Sequence, residues 1–244
     1  MRVLMTIVRR EFAAYFATPL AYVFLVAFVV AAGAMTFYVG GFFARRQADL
    51  APFFMFHPWL FLALIPAIGM RLWAEERRTG TIELLMTLPV SVCEAVTGKF
   101  IAGWLFAGLA LALTFPVWLS VNWLGSPDNG VILASYIGSF LMAGAMLAVT
   151  SCVSAMTRNQ VIAFILAIGV CLLLMVSGVE TITAALRSVL PAQAVELLAS
   201  SSMLTRFVTI TKGVLDFRDM FYFASMIALF LYINTCIVEF ERGK

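Results

Sequence analysis

Six stretches of this 244-residue chain run for about twenty residues without Asp, Glu, Lys or Arg: Leu20 to Val39, Ala51 to Met70, Phe100 to Val121, Val131 to Ala155, Asn159 to Gly178 and Met220 to Val238. A helix needs about 20 apolar residues to cross the hydrocarbon core, and a charge at its centre costs about 2.5 to 3.5 kcal/mol. Backbone groups in lipid must pair internally, so runs this long fold as helices; an outer-membrane barrel would show short alternating segments instead. The expected fold is an all-α polytopic membrane protein with six transmembrane helices. Composition agrees: 63% hydrophobic and 12% charged residues, with mean hydropathy +1.02, exclude a soluble globular enzyme.

The other signals narrow the class further. Cys93, Cys152, Cys171 and Cys236 are scattered, without the close pairs of a zinc site or disulfide framework. The net charge of +3 comes from dispersed basic residues, which leaves a nucleic-acid partner unsupported. With no tandem repeat or low-complexity tract, residues 1–244 read as one membrane domain. A membrane-embedded enzyme would need convergent nucleophile, base or metal ligands, and the spans hold almost no titratable groups.

The first sixteen residues are too charged to insert. Val3, Leu4, Ile7, Val8, Phe12 and Tyr15 recur at helical spacing among Arg2, Arg9 and Arg10, which predicts an interfacial helix within residues 1–18. With the N-terminus inside, the inner basic set is Arg2, Arg9, Arg10, Arg71, Arg77, Arg78, Lys99, Arg158, Arg242 and Lys244. The outer set is Arg45, Arg46, Arg187, Arg206, Lys212 and Arg218, four of them in one long loop that counts for little. Both termini are expected in the cytoplasm. Two polar intervals then stand out, a cytoplasmic one at 71–99 and an external one at 179–219.

The cytoplasmic interval reads RLWAEERRTGTIELLMTLPVSVCEAVTGK. Gly80 with Glu83 has the spacing of a weak capping box, Ile82, Leu85 and Met86 share one face, and Pro89 marks the stop. Ser91 with Glu94 repeats the pattern at the start of the next helix. A two-turn helix is marginal alone and must pack against something. Its occupant is either the lipid headgroups, as for an amphipathic linker, or a groove in a soluble partner.

The run from His57 to Lys99 resembles permeases of type 2 ATP-binding cassette exporters, in the subgroup of the gliding-motility and nitrous-oxide-reductase maturation permeases. The elements that carry the resemblance are Pro58-Trp59, Pro66, Met70-Arg71, Glu75-Glu76, Gly80-Thr81, Glu83-Leu84-Leu85, Leu88-Pro89 and Gly98-Lys99. A second block from Ser202 carries Phe207, Lys212-Gly213-Val214, Asp216, Arg218-Asp219 and Tyr222-Phe223. One departure is Gly69, where the resemblance leads one to expect a hydroxyl residue.

The resemblance implies a membrane subunit of an ATP-driven exporter in the cytoplasmic membrane of a bacterium. It implies a second copy or a related permease, a dimer of cytoplasmic ATPase subunits and, in some relatives, an auxiliary membrane or extracytoplasmic subunit. The coupling interface would comprise Arg71, Glu75, Glu76, Arg77, Arg78, Gly80, Thr81, Ile82, Glu83, Leu84, Leu85 and Pro89. A smaller contact at Thr157, Arg158, Asn159 and Gln160 would join it. The chain has no Gly-x-x-x-x-Gly-Lys-Ser/Thr run, so ATP and magnesium fall to the partner. A scaffold subunit of an ATPase-driven remodelling complex is not separated from an exporter by sequence.

Among the remaining residues, the sole histidine, His57, has no ligand-type partner nearby and is expected to be structural. Glu180 closes the fifth span and reads as a water boundary or the lining of an exit. Ile182, Leu186, Val189 and Leu190 form an apolar face ending at Pro191, followed by a patch at Val195 to Leu198. These suit short external re-entrant helices, which gate the exit in the resembling family. Asp216 and Asp219 suit a helix N-terminus. Ser135, Ser139 and Ala143, with Ala134 and Gly138, form a small-residue stripe for close helix approach, either to a second subunit or within the chain. Met142 and Met146 are expected to pack rather than bind copper.

Overall fold

The computed structural model describes residues 2–81, 90–187, 191–214 and 216–242, and all regular structure among them is helical. The first helix, α1 (Arg2–Phe16), is followed by α2 (Pro19–Ala34), which continues as a π turn at Met35–Val39. The short α3 (Phe42–Arg45) leads to α4 (Ala51–Gly69) and α5 (Arg71–Thr79). Then come α6 (Val92–Ala112), α7 (Phe115–Leu124), α8 (Asn129–Ala155) and α9 (Gln160–Val176). The chain closes with α10 (Glu180–Leu186), α11 (Ala192–Ser200), α12 (Met203–Thr211) and α13 (Phe217–Arg242).

Five of the expected spans lie in helices long and apolar enough to cross a membrane: Pro19–Arg45, Ala51–Thr79, Val92–Leu124, Asn129–Ala155 and Phe217–Phe240. The remaining one, α9, is apolar and has 17 residues. At 1.5 Å per residue it reaches about 26 Å, the short end of what a bilayer core requires. Local chemistry sets the ends. Asp128 caps α8 by accepting the Gly130 and Val131 amides, and Asn159 caps α9 through the Val161 amide. Ser91 and Glu94 form the expected reciprocal capping box at the start of α6.

The central column is α8, packed against α4, α6, α9, α12 and α13. Every residue from Met142 to Ala155 is buried, including Met142 and Met146. Its small-residue stripe faces helices of its own chain: Ser139 bonds His57 of α4, and Gly138 abuts Ile210 of α12. Lipid tails are as apolar as leucine, so such close backbone packing supplies much of the attraction between spans. The departure at Gly69 has the same origin. A Cβ there would lie 2.5 Å from Thr150 Cγ2, so a hydroxyl residue could not occupy the crossing of α4 and α8 without displacing one of them.

By contrast, α2, α9 and α13 turn apolar faces outward, through Val23, Val26 and Val30, Val161, Ile165 and Leu173, and Phe221, Leu229 and Tyr232. Tyr38 and Phe43 beyond α2, Trp123 at the end of α7 and Phe217 at the start of α13 are strongly exposed aromatics, as suits a membrane boundary.

Candidate functional site

Helix α1 does not stand alone. Ile7 and Val8 are buried, Tyr15 stacks on Phe106 of α6 at 4.9 Å, and the Tyr15 hydroxyl donates to the Ile68 carbonyl at 3.5 Å. Between α1, α5 and α6 sits a buried cation. The Lys99 side chain is 3% exposed, and its Nζ lies 2.7 Å from Glu76 Oε1 and 3.3 Å from Glu11 Oε1. It also lies 5.4 Å from the centre of the Trp73 ring. A desolvated ammonium is tolerated only when its charge is matched, and here two helices supply the carboxylates. Arg10 pairs with Glu11 at 2.6 Å and Arg71 with Glu75 at 2.9 Å, and Glu11, Arg71, Glu75, Glu76 and Lys99 border a cleft of about 210 Å³.

Burial pushes the Glu11 carboxyl up, but the Lys99 ammonium and the Arg10 guanidinium outweigh that and hold it below its ordinary value. A depressed carboxylate stabilises the folded state fully above its unfolded value and loses that contribution as pH falls through the folded one. The docking of α1 is therefore expected to be constant from pH 8 to 5 and to weaken only below about pH 4. Amide hydrogen exchange in α1, measured across pH and corrected for intrinsic rate, checks this.

One turn further, Arg77 donates to the Ala155 carbonyl at the C-terminus of α8, where unsatisfied carbonyls favour a cation. This bond ties α5 to the end of α8, just ahead of the second expected contact region. Arg78, Thr79, Gly80 and Thr81 are exposed on one side of it, Arg158 and Asn159 on the other, with Gln160 half-buried. Gly80 has φ 74° and ψ 4°, the left-handed conformation that ends α5, and the backbone is helical again at Thr81, so Gly80 lies at the helix boundary that its spacing suggested. Ile82, Glu83, Leu84, Leu85, Met86 and Pro89 lie outside the described residues.

Beneath α5, Trp73 is completely buried. Its indole Nε1 donates to Ser151 Oγ at 3.3 Å, which also accepts from Asn234 Nδ2 at 2.7 Å. The C-terminal half of α13 is thus at the same end as α5. Sequence reasoning missed Glu11, Trp73, Ser151 and Asn234 and gave Lys99 only a place in a motif. Their one visible signal was isolation: a single acid in basic α1 and a single lysine at the head of an apolar helix.

At the opposite end, Glu180 is exposed at the start of α10, Ile182 is half-buried, and the Leu186 side chain is outside what the structure describes. Asp216 caps α13 through the Arg218 amide at 2.9 Å. Asp219, 3% exposed, is instead taken by Arg206 at 3.0 Å, and Arg206 also lies over the Tyr222 ring. Arg206→Ala strands a buried carboxylate and is expected to cost about 3 kcal/mol. Adding Asp219→Asn should recover most of that in denaturant titrations.

His57 is buried in α4 with Nδ1 2.8 Å from Ser139 Oγ, amid Phe28, Phe53, Phe54 and Phe61. Among the described residues no group of three or more His, Cys, Asp and Glu is placed to hold a metal.

Comparison with known proteins adds one positive finding. The sequence model of the family described as "ABC-2 family transporter protein" matches residues 25–242. A comparison with curated proteins finds no match.

Proposed function

This chain belongs to the ABC-2 transporter family, as a membrane permease subunit whose ATPase is a separate partner, and from that premise we propose that residues 71–89 with Arg158 to Gln160 form the element the ATPase engages. The observation that carries this reading is the bond by which Arg77 ties α5 to the end of α8, just ahead of the second contact region, next to a surface helix locked to α5 through Lys99. Force applied to Arg78, Thr79 or Thr81 would meet a braced element, because Glu75, Glu76 and Arg77 each hold a partner. ATP binding would close the partner ATPases, α5 would move with them, and the spans would shift to open the far side.

In this reading the permease works as an exporter in the cytoplasmic membrane of a bacterium, with both termini inside. It pairs with a second copy or a related permease, and it performs no covalent chemistry. The helices α10 to α12, with Glu180, Ile182 and Leu186, stand where an exit gate would lie. Purification of the tagged chain from its native membrane, with mass spectrometry of protein and bound ligand, tests the assignment. A P-loop ATPase is expected in stoichiometric amount; hydrolase activity of the chain without one would contradict it.

A further inference from the structure

We propose that Ser154 is the pin of a hinge at Met70: a positioning residue that fixes the angle between the second span and α5, and so, resting on the reading of α5 as the coupling element, ties that angle to the fourth span. The helical run Ala51–Thr79 keeps right-handed backbone at Met70 (φ −57°, ψ −28°), but its regular bonding breaks there, where α4 ends and α5 begins. The Met70 amide still reaches the Pro66 carbonyl at 2.8 Å. Beyond it, the hydroxyl of Ser154, reaching across from α8, takes over. Its Oγ accepts from the Trp73 amide at 3.2 Å and the Ala74 amide at 3.1 Å, and it donates to the Met70 carbonyl at 2.8 Å. One donor and two lone pairs are all that a hydroxyl offers, and all three are engaged by the joint.

A side chain inserted into a helix's own ladder is a physical cause of a local bend. Ser154 is fully buried, so water has no access to take its place. One turn earlier on α8, Ser151 holds the Trp73 indole. Trp73 is therefore gripped at its amide and its ring by two serines on one face of the same helix. Any slide or rotation of α8 withdraws both, and the joint then loses its fixed angle. On the other side of the joint, Tyr15 of α1 bonds the Ile68 carbonyl, so the hinge lies between two helices that both touch it.

The test uses the full-length chain in lipid nanodiscs, without an ATPase, so that its outcome does not depend on whether α5 engages one. Spin labels replace the exposed Thr79 on α5 and Leu229 on α13, in a background lacking the exposed thiols Cys93 and Cys236. Ser154→Ala should roughly double the width of the distance distribution. Ser154→Thr and Ser154→Val have the same shape and differ only in the hydroxyl. The threonine variant should keep the wild-type distribution and the valine variant should broaden it, at similar melting temperatures. A wild-type distribution in Ser154→Ala, or no difference between the Thr and Val variants, overturns the proposal.

Discussion

Replacing Lys99 with methionine is expected to destabilise the α1 end by about 3 to 5 kcal/mol, the usual cost of breaking a buried charge network on one side. Methionine fills much of the same volume, so packing loss is a minor part. What remains is electrostatic: the mostly buried carboxylates of Glu11 and Glu76 face each other without the cation between them. The first consequence is release of α1, seen as faster hydrogen exchange over Arg2–Phe16 and a lower melting temperature. Replacing Glu11 and Glu76 by glutamine in the same background removes the stranded charges and should restore most of the melting temperature. If Lys99→Met alone melts like the parent, the three charges are solvated and the lock does not exist.

Deleting Gly80 to Pro89, or replacing Glu83 with Lys, is expected to lower recovery of the ATPase with the tagged chain by at least about tenfold, equivalent to roughly 1.4 kcal/mol of binding. The physical basis is position. Arg78 and Thr79 are exposed and lead into this segment, whose first residues Gly80 and Thr81 are exposed as well, whereas the charges that brace α5 lie behind them and stay in place. Membrane insertion should be unchanged, because the apolar spans on either side keep their length and the Ser91–Glu94 cap remains. Full retention of a coupled ATPase by the deletion would place its contact elsewhere.

The two variants separate bracing from contact, and that division follows what the sequence could and could not reveal. Spans were legible because charge-free runs of about twenty residues have few uses outside a bilayer. The Ser91–Glu94 box was local, so its spacing sufficed. Gly80 was local too: its spacing marked a helix boundary, while the left-handed backbone with which it ends α5 is not encoded by spacing. The lock and the hinge were hidden for another reason. Lys99 meets Glu76 across 23 residues, and Ser154 meets Trp73 across 81, so each partner reads as an ordinary residue until the helices cross. The small-residue stripe on α8 showed that something approaches closely without showing what; its partners proved to be α4 and α12 of the same chain.

The most direct measurement of the central claim is site-specific photo-crosslinking in native membranes. A photoreactive amino acid is placed in turn at Thr81, at Arg158 and, as a control at the opposite end, at Lys212, all exposed. The coupling reading predicts that Thr81 and Arg158 capture the same P-loop ATPase and that Lys212 does not. Capture from Lys212, or from neither Thr81 nor Arg158, would contradict it.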